Sequence, residues 1–264
     1  GFIFVKPATR FAPSPTGALH LGHAFSALAA YDLARAGGGS FLLRIEDIDP
    51  GRTREAHVEG ILNDLDWLGL AWDGAVVRQS QRLALYAAAL DRLRAMGIAY
   101  PCFCTRAEIA ASASAPHGPA GAIYPGTCRH LDVETRARRM AGEAHAWRLD
   151  MAAAVDRAGP LVWRDLLAGA IAADPLAQGD VVIARKDAPV SYHLAVTVDD
   201  ADQRVSHVVR GVDLFDATHV HRLLQALLDL PTPLYCHHPL LVDAEGRRLA
   251  KRDGARSLAE LRAG

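Results

Sequence analysis

Apolar positions in the first hundred residues follow two alternating rhythms. Ala8 to Pro13 reads as extended chain, because the prolines at 13 and 15 offer no ladder donor and hold their predecessors out of the helical region. The Ala/Leu-rich run Ala24–Ala36 then predicts a helix from about Gly22, stopped by Gly37-Gly38-Gly39. Ser40–Ile45 predicts a strand. Two helical patterns follow: Arg54–Leu68, with Val58, Ile61, Leu62, Leu65 and Leu68 on one face, and Gln81–Met96, with Leu83, Leu85, Leu90 and Leu93. Strands alternating with helices of this length predict an α/β fold, a parallel sheet with crossover helices.

The rhythm breaks between residue 101 and about 185. Here lie an Ala/Ser/Gly/Pro-rich stretch, Ala110–Gly121, a charged stretch, Asp132–Glu143, and a mixed segment around Trp163-Arg164-Asp165. The region reads as an α+β insertion between two halves of the sheet. Strand signals resume at Val181–Arg185 and continue through His193–Val198 and Val205–Val209, followed by a helix over Ala217–Leu230. Asp199-Asp200 is then expected at a strand end, shaping the rim of a site. The expected organisation is a catalytic domain in two halves, 1–100 and 186–235, an insertion over 101–185, and a terminal segment over 236–264.

Composition adds limits. Half of the 264 residues are apolar, enough for a full core, and 29 basic against 30 acidic residues leave no charge excess that would announce a nucleic acid. No stretch has the length and apolarity of a membrane span or secretory core, so a cytoplasmic protein away from membranes is expected. The basic cluster Arg247, Arg248, Lys251, Arg252, Arg256 and Arg262 reads as a solvated face.

Two groups of residues suggest chemistry. His20 and His23 flank the predicted helix start, where free N–H groups and the positive end of the dipole favour an anionic phosphate. Cys102, Cys104 and Cys128 crowd one short region, and three thiolates with a fourth donor describe a structural zinc site more naturally than disulfides in such a chain. His117 and His130 are chemically suited to the fourth place, and a metal-free buried cluster is the alternative. Cys236-His237-His238 reads as part of a strand without functional role.

Arg10-Phe11-Ala12-Pro13-Ser14-Pro15-Thr16-Gly17-Ala18-Leu19-His20-Leu21-Gly22-His23 resembles the HIGH-signature segment of class I aminoacyl-tRNA synthetases, in its glutamyl/glutaminyl branch. Four later segments agree: Arg44-Ile45-Glu46-Asp47-Ile48-Asp49-Pro50, Ser191-Tyr192-His193-Leu194-Ala195, Val209-Arg210-Gly211-Val212-Asp213-Leu214, and Leu249-Ala250-Lys251-Arg252-Asp253. The last departs from the family's Lys-Met-Ser-Lys-Ser, keeping only the second lysine, at Lys251. The resemblance implies a Rossmann-like parallel sheet distinct from the dinucleotide fold, whose Gly-x-Gly-x-x-Gly is missing. It also implies adenylate chemistry with L-glutamate and with ATP and Mg2+ as substrates. His20, Gly22, His23 and Lys251 would meet ATP, with His20, His23 and Lys251 as the catalytic set. Arg10, Ser14, Glu46, Tyr192 and Arg210 would hold the amino acid, the arginines at its carboxylates and Glu46 at its ammonium. Tyr124 would be the implied fourth ligand of one zinc ion.

Within that branch an anticodon-binding region follows the lysine motif, and here the sequence ends soon after it. The expectation is therefore the small glutamyl-type family that transfers glutamate to the queuosine base in the anticodon of tRNA(Asp), acting as a monomer. Two alternatives stand beside it, a shortened enzyme charging a tRNA 3′ end and a non-catalytic RNA-binding relative.

Overall fold

The protein was analysed as a computed structural model that describes residues 6–112, 123–247, 249 and 256–264. Lys251 and His117 lie outside the described residues. The first stretch comprises β1 (Ala8–Phe11), α1 (Leu21–Ala36), β2 (Ser40–Ile45), α2 (Glu55–Trp67), a short β3 (Val77–Arg78) and α3 (Leu83–Ala95). These three strands pair in parallel in the order β1-β2-β3. The glycine stop acts as its sequence suggests. Gly38 adopts φ +63°, and a Cβ at Gly39 would stand 1.8 Å from the Pro7 carbonyl oxygen, so the return from helix to strand admits only glycine there.

Next come β4 (Ala99–Cys102), α4 (Arg106–Ser112), α5 (Val133–Gly142), β5 (Ala146–Leu149), α6 (Met151–Ala158), β6 (Val162–Asp165), β7 (Gly169–Ala172) and β8 (Val182–Ala184). The strands β4, β5 and β8 form an antiparallel sheet of their own. Buried Asp180 locks its end, accepting hydrogen bonds from the Tyr100 hydroxyl, from Arg129 Nε at 2.8 Å and from Met151 N at 3.0 Å. The remaining elements are α7 (Tyr192–Asp202), β9 (His207–Gly211), α8 (Ala217–Leu227), β10 (Leu234–His238) and α9 (Leu258–Ala263).

A second sheet has the order β7-β6-β10-β9, with β6, β10 and β9 parallel and β7 antiparallel. It abuts the first sheet through β9 and β1, where Ser206 N donates to Ala8 O at 2.9 Å. Helices α1 and α2 cover β1 and β2 through Ala27, Ala30, Phe41, Leu43, Ile61 and Leu65, all at most 1 % exposed. Helices α7 and α8 pack with α3 and α6 into a second core around Leu149, Leu194, Leu223 and Leu224.

Three expectations change. The run His193–Val198 is not a strand but the body of α7: Ser191 caps the helix, its hydroxyl accepting from Leu194 N at 3.4 Å. Leu194, Ala195, Val196 and Thr197 are all buried, and a run buried on every side carries no period to separate helix from strand. Asp199-Asp200 consequently points from a helix into the interior, at 0 % and 7 % exposure, rather than sitting on a rim. The expected insertion also divides differently, because β6 pairs with β10 through Tyr235 opposite Asp165 and so joins the parallel sheet, while the boundary at 235/236 cuts through β10.

Asp200 explains how the elements are held in register. Its carboxylate accepts from Arg10 Nε at 2.9 Å and Arg44 Nη2 at 2.9 Å, joining α7 to both β1 and β2. Burial alone would push this carboxyl up, and the two guanidiniums more than reverse that, holding it below the ordinary carboxylate range. A depressed folded-state pKa contributes stability above the unfolded value and loses it as acid protonates the native state. Asp200→Asn, which removes the carboxylate that pairs with both Arg10 and Arg44, should therefore lower unfolding free energy at pH 7 by about 3–5 kcal/mol in denaturant titration, with the gap to wild type closing below about pH 4. A loss under about 1 kcal/mol would contradict this role.

Candidate active site

The site lies beyond the carboxyl ends of β1, β2, β9 and β10, where the sheet changes direction between β1 and β9 and open α/β sheets leave a crevice. A cavity of about 600 Å³ opens there. Seven of the residues expected from sequence line it: Arg10, Ser14, His20, His23, Glu46, Tyr192 and Arg210. Gly22 lines an adjoining cavity of about 260 Å³ with Phe25, Gly211, His238 and Leu249. Lys251, expected to meet ATP together with the histidines, is outside the described residues.

The histidine pair is built into the start of α1. His20 is the N-cap, with extended backbone; its Nδ1 accepts from Gly22 N at 3.2 Å, and His23 Nδ1 accepts from His20 N at 3.1 Å. Two imidazoles thus do what Ser and Glu do in a capping box, which fixes both rings with centroids 3.9 Å apart. Each uses Nδ1 as acceptor, which in the neutral ring puts the proton on Nε2, near the positive end of the helix. A Cβ at Gly22 would come within 3.1 Å of the His20 ring.

Charge is distributed unevenly across the floor. Arg10 is 4 % exposed and already bound to Asp200. Arg44, fully buried, sits 3.7 Å from both Glu46 and Asp199, and Asp199 also accepts from Arg82 Nε at 2.7 Å, Gln79 Nε2 at 2.8 Å and the Tyr86 hydroxyl at 2.8 Å. Arg210, 4 % exposed, is different: among the described residues it has no carboxylate within ion-pair distance. Its donors go to neutral groups instead, to Thr218 Oγ1 at 2.7 Å, Tyr192 Oη at 3.1 Å, His237 Nε2 at 3.1 Å and His221 Nδ1 at 3.3 Å. A buried cation without an anion is costly, and the arrangement becomes favourable when a ligand supplies one.

Glu46 follows β2 directly, its N–H held by Pro13 O at 3.0 Å. Burial pushes its carboxyl up to about 7, against the pull of Arg44 and Arg10. An arriving ammonium would restore the carboxylate. The floor therefore offers, among the described residues, a guanidinium bound only to neutral groups at one place and a weakly acidic carboxyl at another, the complement of a ligand carrying both charges.

Of the four expected metal ligands, the three thiols converge: the sulfurs of Cys102, Cys104 and Cys128 lie within 4.8 Å of one another. Tyr124 Oη stands 3.5 Å from Cys104 Sγ and accepts from Cys128 N at 2.9 Å. His130 is exposed and is not part of that group. Cationic side chains surround the cluster, with Arg148 over the Tyr124 ring at 3.8 Å and Lys186 Nζ donating to the Phe103 and Cys104 carbonyls at 2.8 and 3.0 Å. Three convergent thiols with a hydroxyl beside them suit a closed tetrahedral zinc site.

Sequence reasoning gave His237, within Cys236-His237-His238, no functional role and met Asp165 only in a mixed segment; the register of β10 beside β9, which sets His237 opposite Arg210, brings them to the site.

The architecture is a parallel α/β sheet with a histidine pair capping its first helix. The family model for tRNA synthetases class I (E and Q), catalytic domain, matches residues 6–262, and the chain belongs to that family. It is 50% identical to a Glutamyl-Q tRNA(Asp) synthetase of Rhodobacter capsulatus over 97% of this chain and 94% of that protein. A protein of the same name from Symbiobacterium thermophilum is 49% identical over 96% of this chain and 80% of that one. Among solved structures, the glutamate-tRNA synthetase of Elizabethkingia anophelis is similar with a TM-score of 0.81 and 29% identity, over 95% of this chain and 53% of that chain. This chain thus spans about half of that synthetase. Among the described residues no helix is long and apolar enough to cross a membrane.

Titration of Glu46 tests the electrostatics of the floor without any substrate. Isotope-edited infrared spectra of the free protein should give a carboxyl with a midpoint near pH 7, absent in Glu46→Gln. A Glu46 carboxyl that is fully ionised at pH 5 would contradict the assigned environment.

Proposed function

We propose that this protein activates L-glutamate with ATP and transfers it to the queuosine base of tRNA(Asp). The observation that carries the amino-acid half is the pairing, in one cavity, of an uncompensated Arg210 with Glu46. The acceptor is drawn from the relatives named Glutamyl-Q tRNA(Asp) synthetase, at 43–50% identity.

In this reading the glutamate α-carboxylate attacks the α-phosphorus of ATP and pyrophosphate leaves. A hydroxyl of the queuosine cyclopentene-diol then attacks the acyl carbonyl, losing its proton as AMP departs. The protein contributes position and charge rather than a covalent intermediate. Arg210 holds the side-chain carboxylate, Glu46 and Tyr192 hold the ammonium, and Arg10 with Ser14 lies along the α-carboxylate. His20 and His23, at the helix start beside Gly22, donate to the phosphate oxygens, with Mg2+ accompanying ATP and Lys251 completing the phosphate contacts. One zinc, held by Cys102, Cys104, Cys128 and Tyr124, ties β4 to the 123–129 turn and has no part in the chemistry. The setting is the cytoplasm, where tRNA is available.

Arg210→Ala should cut kcat/KM for glutamate in pyrophosphate exchange by about 2–5 kcal/mol, because the ligand carboxylate would be buried without a partner. Loss of less than about 1 kcal/mol would remove Arg210 from the binding role. Label from glutamate should reach tRNA(Asp) that carries queuosine even after enzymatic removal of the terminal adenosine, and should not reach tRNA lacking that base. Transfer that disappears with the adenosine would return the protein to ordinary 3′-end charging, and no exchange at all would favour a non-catalytic RNA-binding role. Metal analysis should find about one zinc per chain, falling with Cys104→Ser; metal-free protein with an intact fold would exclude the zinc.

A further inference from the structure

Arg210 is surrounded by acceptors that orient it without neutralising it. A guanidinium is a donor at every nitrogen, so each group it meets must offer a lone pair. At His237 this settles the tautomer. Its Nε2 accepts from Arg210 Nε at 3.1 Å, which leaves the ring proton on Nδ1, and Nδ1 donates to Asp165 Oδ2 at 2.8 Å. Asp165 is itself fixed by backbone: Oδ1 accepts from Leu167 N and Ala168 N, each at 2.9 Å, and Oδ2 also accepts from His237 N at 3.0 Å. Both side chains are 1 % exposed. The same logic runs on the other side, where His221 Nδ1 accepts from Arg210 and its Nε2 faces His193 Nδ1 at 3.1 Å.

We infer that Asp165 and His237 form a positioning pair that aims Arg210 and reserves its charge for a carboxylate ligand, making them determinants of specificity for an acidic over an amide side chain. The inference rests on the proposed role of Arg210 in binding glutamate. An imidazole between the aspartate and the arginine transmits orientation while keeping the two ions out of contact. An aspartate directly on Arg210 would neutralise it, and a carboxamide would then satisfy the site as well as a carboxylate. Burial, reinforced by Arg210, holds the His237 pKa down at about 4, so the ring stays neutral through the physiological range. The hydrogen-bond partners on β6, β9 and β10 come together only because the parallel strands place His237 beside Arg210 and Asp165 across from Tyr235.

The direct test is the imidazole 15N spectrum of the whole protein with labelled histidine. His237 should be neutral with its proton on Nδ1. A wild-type His237 protonated on Nε2 would overturn the inference, whatever the substrate proves to be. In pyrophosphate exchange, His237→Phe should raise the glutamate KM by about tenfold or more, with ATP KM and kcat changed less than about threefold, and narrow the preference for glutamate over glutamine. His237→Gln, whose carbonyl can accept from Arg210 Nε, should recover most of that loss. Equal effects on glutamate and ATP, or a Gln variant no better than Phe, would reduce His237 to a structural residue. A wild-type protein inactive with glutamate would instead fail the proposed function, leaving the tautomer measurement to decide the pair.

Discussion

A single carboxylate, Asp200, sets the geometry on which the site depends. It accepts from the arginines of two adjacent parallel strands while belonging to a helix that comes nearly 150 residues later in the chain. Strand ends in an open sheet are otherwise free to splay, and ionic contacts of this kind hold only when every charge has a partner, because a lone buried ion is destabilising by several kcal/mol. The neighbouring Asp199 extends the same constraint to α3 through Arg82 and Tyr86. With β1, β2 and α7 clamped, the residues that project beyond them, Ser14, Glu46 and Tyr192, have fixed places around the cavity.

Against that network of paired ions, two departures stand out by contrast. Arg10 and Arg44 have anions; among the described residues Arg210 has imidazoles and hydroxyls instead. Glu46 is close to Arg44, at 3.7 Å, yet without a hydrogen-bonded ion pair, and burial leaves its acidity weak. The fold thus completes the charges that hold it together and leaves open those that a ligand can complete. That division is a general property of preorganised sites, in which unmet polar groups are tolerated because a bound substrate meets them.

Much of this was legible in the chain. The period of Val58, Ile61, Leu62 and Leu65 announced α2, the glycine triplet announced the end of α1, and the two histidines marked its start. Convergence of Cys102, Cys104 and Cys128 followed from their spacing and redox setting. What was not legible depended on contacts between distant segments. The middle of His193–Val198 is buried on every side, so it gave no period by which to see a helix, and the aspartates after it took the wrong place with it. Arg10 carried the signature of a ligand-binding residue, but nothing local disclosed that Asp200 would occupy its guanidinium. Asp165 and His237 lie more than 70 residues apart in a mixed segment and an apolar strand, and only the pairing of β6, β10 and β9 turns them into one assembly with Arg210.

The central claim is that Arg210, held by neutral groups, and the weakly acidic Glu46 on one cavity floor recognise the two ends of glutamate. A crystal structure with a non-hydrolysable glutamyl-adenylate analogue tests it directly. The account predicts the side-chain carboxylate in hydrogen-bond contact with Arg210, the ammonium on Glu46, and the phosphate at His20 and His23. An analogue bound with its side-chain carboxylate away from Arg210, or with Glu46 turned out of contact with the ammonium, would contradict it.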